Sequence, residues 1–322
     1  MTKTILRFFS MFIAALLISV SMQAEVKLPA IFGDHMVLQQ QTDAAVWGKA
    51  SPSKNVSVKT SWDGKSYSTR ADNNGNWKLK VKTPKAGGPY SITISDGKEL
   101  KLNDVLIGEV WVCSGQSNME MPVKGFRNQP VTGSNEAIAN SANELIRLFT
   151  VTKNTSLEPL DDFTGQWAEC APENVANFSA TAYYFGRMLQ KALGVPVGLI
   201  NSSWGGTRIE PWISENGIKK FDFVPLPDKN QTGKLSPQIP TVLYNAMIKP
   251  MVGYALRGGI WYQGESNRNE YKEYQKLMPG LIQNWRDEWG IGDFPFYYMQ
   301  IAPFVYGGGV NSAFLREAQL KA

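Results

Sequence analysis

Between residues 25 and about 103, apolar and polar residues alternate in short stretches such as Val56-Ser57-Val58-Lys59-Thr60, Asn76-Trp77-Lys78-Leu79-Lys80-Val81 and Tyr90-Ser91-Ile92-Thr93-Ile94. Successive side chains of a strand point to opposite faces, so a period of two predicts strands with one face buried. Asp63-Gly64, Asn74-Gly75, Gly87-Gly88-Pro89 and Asp96-Gly97 separate them with residues that favour tight turns. The pattern predicts a β sandwich over residues 25–104. Trp47, Trp62, Trp77 and Tyr90 suit either a platform for sugar rings or packing between sheets, and in so small a sandwich packing is the expectation.

After residue 103 the rhythm changes. Residues 105–113 are almost wholly apolar, and similar runs recur at 146–151, 197–201, 259–262 and 294–301. Such runs predict strands buried on both faces. A helix is expected from an N-cap at Ser179 to a stop at Gly194, with Ala182, Tyr183, Phe185, Met188, Leu189 and Leu193 on its apolar positions. A second is expected over residues 270–289, kinked at Pro279. Alternating strands and helices predict an α/β domain with a parallel sheet over residues 105–322.

Ligands of such sheets bind beyond the carboxyl ends of the strands. Ser114-Gly115-Gln116-Ser117-Asn118-Met119 follows the first apolar run, Ser202-Ser203-Trp204-Gly205-Gly206-Thr207-Arg208 the third, and Gln263-Gly264-Glu265-Ser266-Asn267 the fourth. Each alone reads as a surface loop, whereas three at successive strand ends read as a site. Ser117, after a glycine turn, can project its hydroxyl into a cleft while its own N–H faces a reacting oxygen. The Gly205-Gly206 pair lets the main chain approach a ligand and adds a second N–H, and the Gln263 amide is suited to be a third donor. The tetrahedral intermediate of acyl transfer is an oxyanion that needs such donors, and losing one costs on the order of a hundredfold in rate. Asn118, Glu265, Asn267 and Arg208 are candidates to contact substrate. Arg208 equally suits an ion pair with Glu210, and Glu265 equally suits bracing its loop.

The chain has 322 residues, 43% hydrophobic and 19% charged, the composition of a globular protein with room for two domains. Lys3 and Arg7, apolar residues 8–20 and Ser21-Met22-Gln23-Ala24 predict a secretory leader over residues 1–24, and hence a periplasmic or secreted protein. Its apolar stretch of about 13 residues falls short of the ~18 that span a membrane. The formal charge of +5 shrinks further without the leader, because no acid precedes Glu25, so no nucleic-acid partner is expected. Two cysteines and one histidine argue against a zinc site, and no metal or organic cofactor is expected. Nothing in the spacing brings Cys113 and Cys170 together, so both are left as free thiols. The single histidine, His35, is a test for any Ser-His-Asp hydrolase, which needs an imidazole beside its serine.

In that order, Gly115-Gln116-Ser117-Asn118-Met119, Trp204-Gly205-Gly206-Thr207 and Trp261-Tyr262-Gln263-Gly264-Glu265-Ser266-Asn267 resemble the first three blocks of the SGNH-type carbohydrate esterases, most closely the bacterial sialate O-acetylesterases. Leu28-Pro29-Ala30-Ile31-Phe32-Gly33-Asp34 and Met36-Val37-Leu38-Gln39 resemble that family's opening. The resemblance implies a flavodoxin-like hydrolase domain behind the β module, with Ser117 as nucleophile and oxyanion donors at Gly206 and Gln263, Gly205 and Asn267 being the alternatives. It implies release of acetate from O-acetylated sialic acid, or from another glycan such as acetylxylan, without a cofactor. It also implies a base and its orienting acid from a late Asp-x-x-His block. No histidine follows His35, which reads as a turn residue beside Asp34. The expectation is therefore a catalytic domain lacking that block, weak or no activity of these 322 residues, and lowered solubility through uncovered apolar sheet surface. A non-catalytic glycan-binding remnant is the alternative from another class. A lipase would share the acyl-transfer logic, but the sequence offers no long apolar lid.

Overall fold

A computed structural model describes residues 25–304 and 312–322. The leader expected over residues 1–24 lies outside the described residues. The strands are β1 (Val37–Gln39), β2 (Asp43–Lys49), β3 (Asn55–Thr60), β4 (Ser66–Arg70), β5 (Asn76–Lys82), β6 (Gly87–Ser95), β7 (Glu99–Gly115), β8 (Asn143–Thr150), β9 (Trp167–Cys170), β10 (Val197–Ser203), β11 (Gly258–Tyr262) and β12 (Phe296–Tyr298). The helices that position the site are α1 (Ser117–Glu120), α2 (Ala180–Leu193), α3 (Tyr271–Trp289) and α4 (Ser312–Lys321).

Strand β7 is the spine of the molecule. Its first residues alternate between exposed and buried, and its last eleven are all buried. The first part pairs antiparallel with β6 and parallel with β1, leaving one face to solvent. The last part lies between β10 and β11, both parallel to it, where helices cover the two faces and alternation gives way to a continuous apolar run. The change of rhythm at residue 104 therefore falls inside one strand. All strands but two share a ten-stranded mixed sheet of order β4-β3-β6-β7-β10-β8-β9, with β1, β11 and β12 off this path, and β2 pairs with β5 alone.

The fold is mixed α/β, and its core crosses from one region to the other. The Phe32 ring meets Trp47 edge-on at 4.7 Å and Tyr254 at 5.4 Å. The Tyr254 hydroxyl donates to Val37 O at 2.7 Å, and Trp167 Nε1 donates to Ile31 O at 2.7 Å. Buried aromatics thus contribute apolar area while their polar tips find acceptors. Trp77 is buried and Trp62 packs against Tyr90 at 5.8 Å, which fits packing for these aromatics rather than a sugar platform.

Helix α2 has the expected ends: Ser179 Oγ accepts from Ala182 N at 3.1 Å, and Gly194 is left-handed at φ 67°. Helix α3 runs through Pro279 as one element. Strand β12 is shorter than its apolar run, and β9, which pairs antiparallel with β8 at the sheet edge, has no counterpart among the expected strands. Among the described residues no helix is long and apolar enough to cross a membrane.

Candidate active site

The register brings the three glycine-bearing loops together. Ser203 of β10 and Tyr262 of β11 both pair with Gly115 of β7, so the chain leaves all three strands at one level. Gly115 has φ 142°, and a Cβ there would lie 2.1 Å from Tyr262 O, so glycine is required by both conformation and space. Gln116 N then donates to Tyr262 O and Trp204 N to Gly115 O, each at 3.0 Å.

Ser117 opens α1 and is half-buried. As the first residue of a helix its N–H has no intrahelical acceptor, and none is supplied elsewhere among the described residues. The second loop packs on it: a Cβ at Gly205 would lie 3.4 Å from Ser117 Cβ and 3.5 Å from Ser117 Cα. Gly205 N–H donates to the Glu120 carboxylate, so it is engaged. Gly206 is exposed and left-handed at φ 78°, and its N–H has no acceptor among the described residues. Of the two glycines, Gly206 carries the available donor.

Two expected substrate-facing residues are instead staples between loops. Gln263 is fully buried, and its amide nitrogen donates to Thr207 O at 3.1 Å and Asn267 Oδ1 at 2.8 Å, which uses both of its protons. It is therefore placed as a link between the second and third loops rather than as a third oxyanion donor. Asn267, also fully buried, accepts from Ile209 N at 2.9 Å and donates to Glu210 at 3.0 Å, so its bonds run to the protein interior. Arg208 takes the ion pair: it meets Glu210 at 2.9 Å and Glu270 at 3.4 Å, so its charge is spent within the protein.

Asn118 and Glu265 remain at the site. Asn118 Nδ2 donates to Glu265 Oε1 at 2.6 Å, while Glu265 Oε2 is buried without a partner among the described residues. Burial pushes the Glu265 carboxyl above the usual carboxylate range, opposed by hydrogen bonds from its own backbone and from Asn118.

His35 lies elsewhere. Its Nδ1 is 2.7 Å from Asp104 Oδ2, which also accepts from Arg147 at 2.9 Å. Asp104 and Ser114 are separated by roughly 30 Å of strand β7. His35, Asp104 and Glu169 are the metal-type ligands that approach one another among the described residues, within 4.8 Å, and the Arg147 guanidinium pairs with Asp104 there. Near Ser117 there is no imidazole.

Several residues that hold the site carry no motif signal. Gln116 Oε1 accepts from Gly264 N at 3.1 Å and Ser266 N at 3.3 Å, tying the first loop to the third. Gln319 of α4, fully buried, donates to Gln263 O at 3.0 Å and accepts from Ile301 N at 3.0 Å. Gln238 donates to Gly206 O at 2.6 Å and accepts from Arg208 N at 3.1 Å. Glu120 and Lys153, 2.7 Å apart, flank the second loop.

Known proteins resemble the chain over most of its length. A family model described as carbohydrate esterase, sialic acid-specific acetylesterase, matches residues 107–322. The sialate O-acetylesterases of Pongo abelii and Homo sapiens are each 34% identical over 307 residues, covering 86% of this chain and 57% of their own length. The chain thus spans somewhat over half the length of these relatives. The crystal structure of a carbohydrate acetylesterase from Xanthomonas citri is similar at a TM-score of 0.83 and 36% identity, over 92% of this chain and 66% of that one. On a match that takes in Ser117 and all three loops, the chain belongs to the family of sialic acid-specific carbohydrate acetylesterases.

Proposed function

We propose that the protein is a serine O-acetylesterase that releases acetate from O-acetylated sialic acids. The observation that carries this is the packing of Gly205 on Ser117, which sets a diglycine main chain beside a serine whose N–H is unpaired among the described residues. Ser117 Oγ attacks the acetyl carbonyl and loses its proton to a base, and the oxyanion is held by the N–H groups of Ser117 and Gly206. The sugar oxygen leaves with a proton, and water then cleaves the acetyl-Ser117 ester to acetate. Asn118, fixed by Glu265, faces the substrate. No step calls on a cofactor.

Since His35 is bonded to Asp104 and is the single histidine of the sequence, no imidazole serves Ser117 and these 322 residues are expected to act slowly. A site lacking its base retains roughly 10³–10⁴-fold acceleration over water from the remaining groups. The parallel strands β8, β10, β7, β11 and β12 support an SGNH-type, flavodoxin-like domain over 105–322, with the preceding strands as its β module. The resemblance to bacterial enzymes and the leader pattern over residues 1–24 support a bacterial, exported protein.

The Xanthomonas citri relative is a carbohydrate acetylesterase, a class broader than sialosides, and another acetylated glycan such as acetylxylan is the second reading. A panel of O-acetyl sialoside, acetylated xylan and a long-acyl ester separates them. Acetate released chiefly from the sialoside is the expected result, and release chiefly from xylan overturns the substrate assignment while leaving the chemistry intact.

A further inference from the structure

Glycine loses more conformational freedom on ordering than any other residue, so a diglycine is a poor oxyanion donor unless something holds it. Here both flanks of the Gly206 N–H are pinned by side chains. On one flank Gly205 N–H donates to Glu120, and on the other Gly206 O accepts from Gln238 at 2.6 Å. Glu120 lies one helical turn after Ser117 on α1, so the turn that carries the nucleophile also grips the loop that carries the donor. Its other oxygen meets Lys153 Nζ at 2.7 Å, and that ammonium sits 5.5 Å from the centre of the Trp204 ring in the same loop. A part-exposed ion pair of this kind adds little stability by itself, so its effect is geometric.

We propose that Glu120 is a positioning residue for acyl transfer: braced by Lys153, it fixes the Gly205-Gly206 peptide so that the Gly206 N–H, and not that of Gly205, meets the oxyanion. The proposal rests on the esterase function above. It assigns a role to a carboxylate that neither the motif pattern nor the nucleophile chemistry requires. Glu120 does not touch the reacting atoms; it acts through the amide it holds.

The test uses p-nitrophenyl acetate, whose leaving group needs no proton, with the 322-residue chain and its Ser117→Ala, Glu120→Ala, Glu120→Gln and Lys153→Met variants. Glu120→Ala is expected to lower Ser117-dependent kcat about tenfold or more, with KM nearly unchanged, since an oxyanion donor acts in the transition state. Glu120→Gln keeps an acceptor for Gly205 N–H and restores most of the rate, and Lys153→Met falls between. A variant that merely unfolds would lose thermal stability and folded fraction without this split. Glu120→Ala as fast as the parent, or faster, overturns the proposal. Hydrolysis equal in parent and Ser117→Ala overturns the esterase function instead. The brace is then read from amide exchange at Gly205: at least tenfold faster in Glu120→Ala supports it, and unchanged exchange overturns it.

Discussion

Asn118 Nδ2 reaches across the sheet edge to Glu265 Oε1 at 2.6 Å, joining the residue after Ser117 to one 147 positions later. The other Glu265 oxygen is buried and unpaired among the described residues, and burial raises the carboxyl above its ordinary value of 4.5. A raised carboxyl binds its proton more tightly in the folded than in the unfolded state. Its contribution to stability is therefore full below pH 4.5 and is lost as pH rises through the folded value. Glu265→Gln keeps an acceptor for Asn118 and removes the charge. Thermal melts should show no gain for this variant near pH 4 and a growing gain from about pH 5 upward. A constant difference at all pH values would show that the carboxyl is not displaced.

Gln263 and Asn267 link the second and third loops from inside the wall. Leaving a buried polar group unpaired costs roughly 1–3 kcal/mol. Gln263→Leu strands Thr207 O and removes one of two donors to Asn267 Oδ1, so it should lower the melting temperature by several degrees as well as activity. If Gln263 instead faced the oxyanion, activity would fall with the melting temperature unchanged.

Cys113 and Cys170 are both free and buried. Burial pushes the Cys113 thiol far above its usual range, and Cys170 up to about 12 by burial opposed by nearby Arg147. Since the thiolate is the reactive form, a disulfide reagent at pH 8 should label neither residue in the folded protein and both after denaturation without reductant. Absence of labelling after denaturation would reveal a disulfide.

An apolar groove of about 570 Å³ between α2 and the β11–β12 edge exposes Met188 at 67% and Met299 at 55%. Contiguous apolar surface promotes association. Met188→Lys should therefore raise the soluble, monomeric fraction in gel filtration without changing Ser117-dependent hydrolysis, and an unchanged elution profile would count against the groove as the cause.

Elements encoded by near neighbours were legible in the sequence: the period-two strands, the buried runs of β7, β8, β10 and β11, and the Ser179 and Gly194 ends of α2. The glycine-bearing loops and Ser117 were legible because parallel strands deliver their carboxyl ends to one edge. What escaped depends on distant partners. Gln263 looks like a donor until Thr207, 56 residues away, is seen to take its proton, and Glu120 looks idle until Gly205, 85 residues on, is seen to bind it. The change of rhythm at residue 104 has a similar origin. Asp104 is left-handed at φ 50° and held by His35 and Arg147, and it sits inside the continuous strand β7.

The central claim is that Ser117 is the acylated nucleophile. The direct measurement is mass spectrometry of the protein quenched during turnover of p-nitrophenyl acetate, followed by peptide mapping. An acetyl group on the peptide containing Ser117, absent from Ser117→Ala, is the predicted result. Turnover that leaves this peptide unmodified, or that persists in Ser117→Ala, would contradict the account.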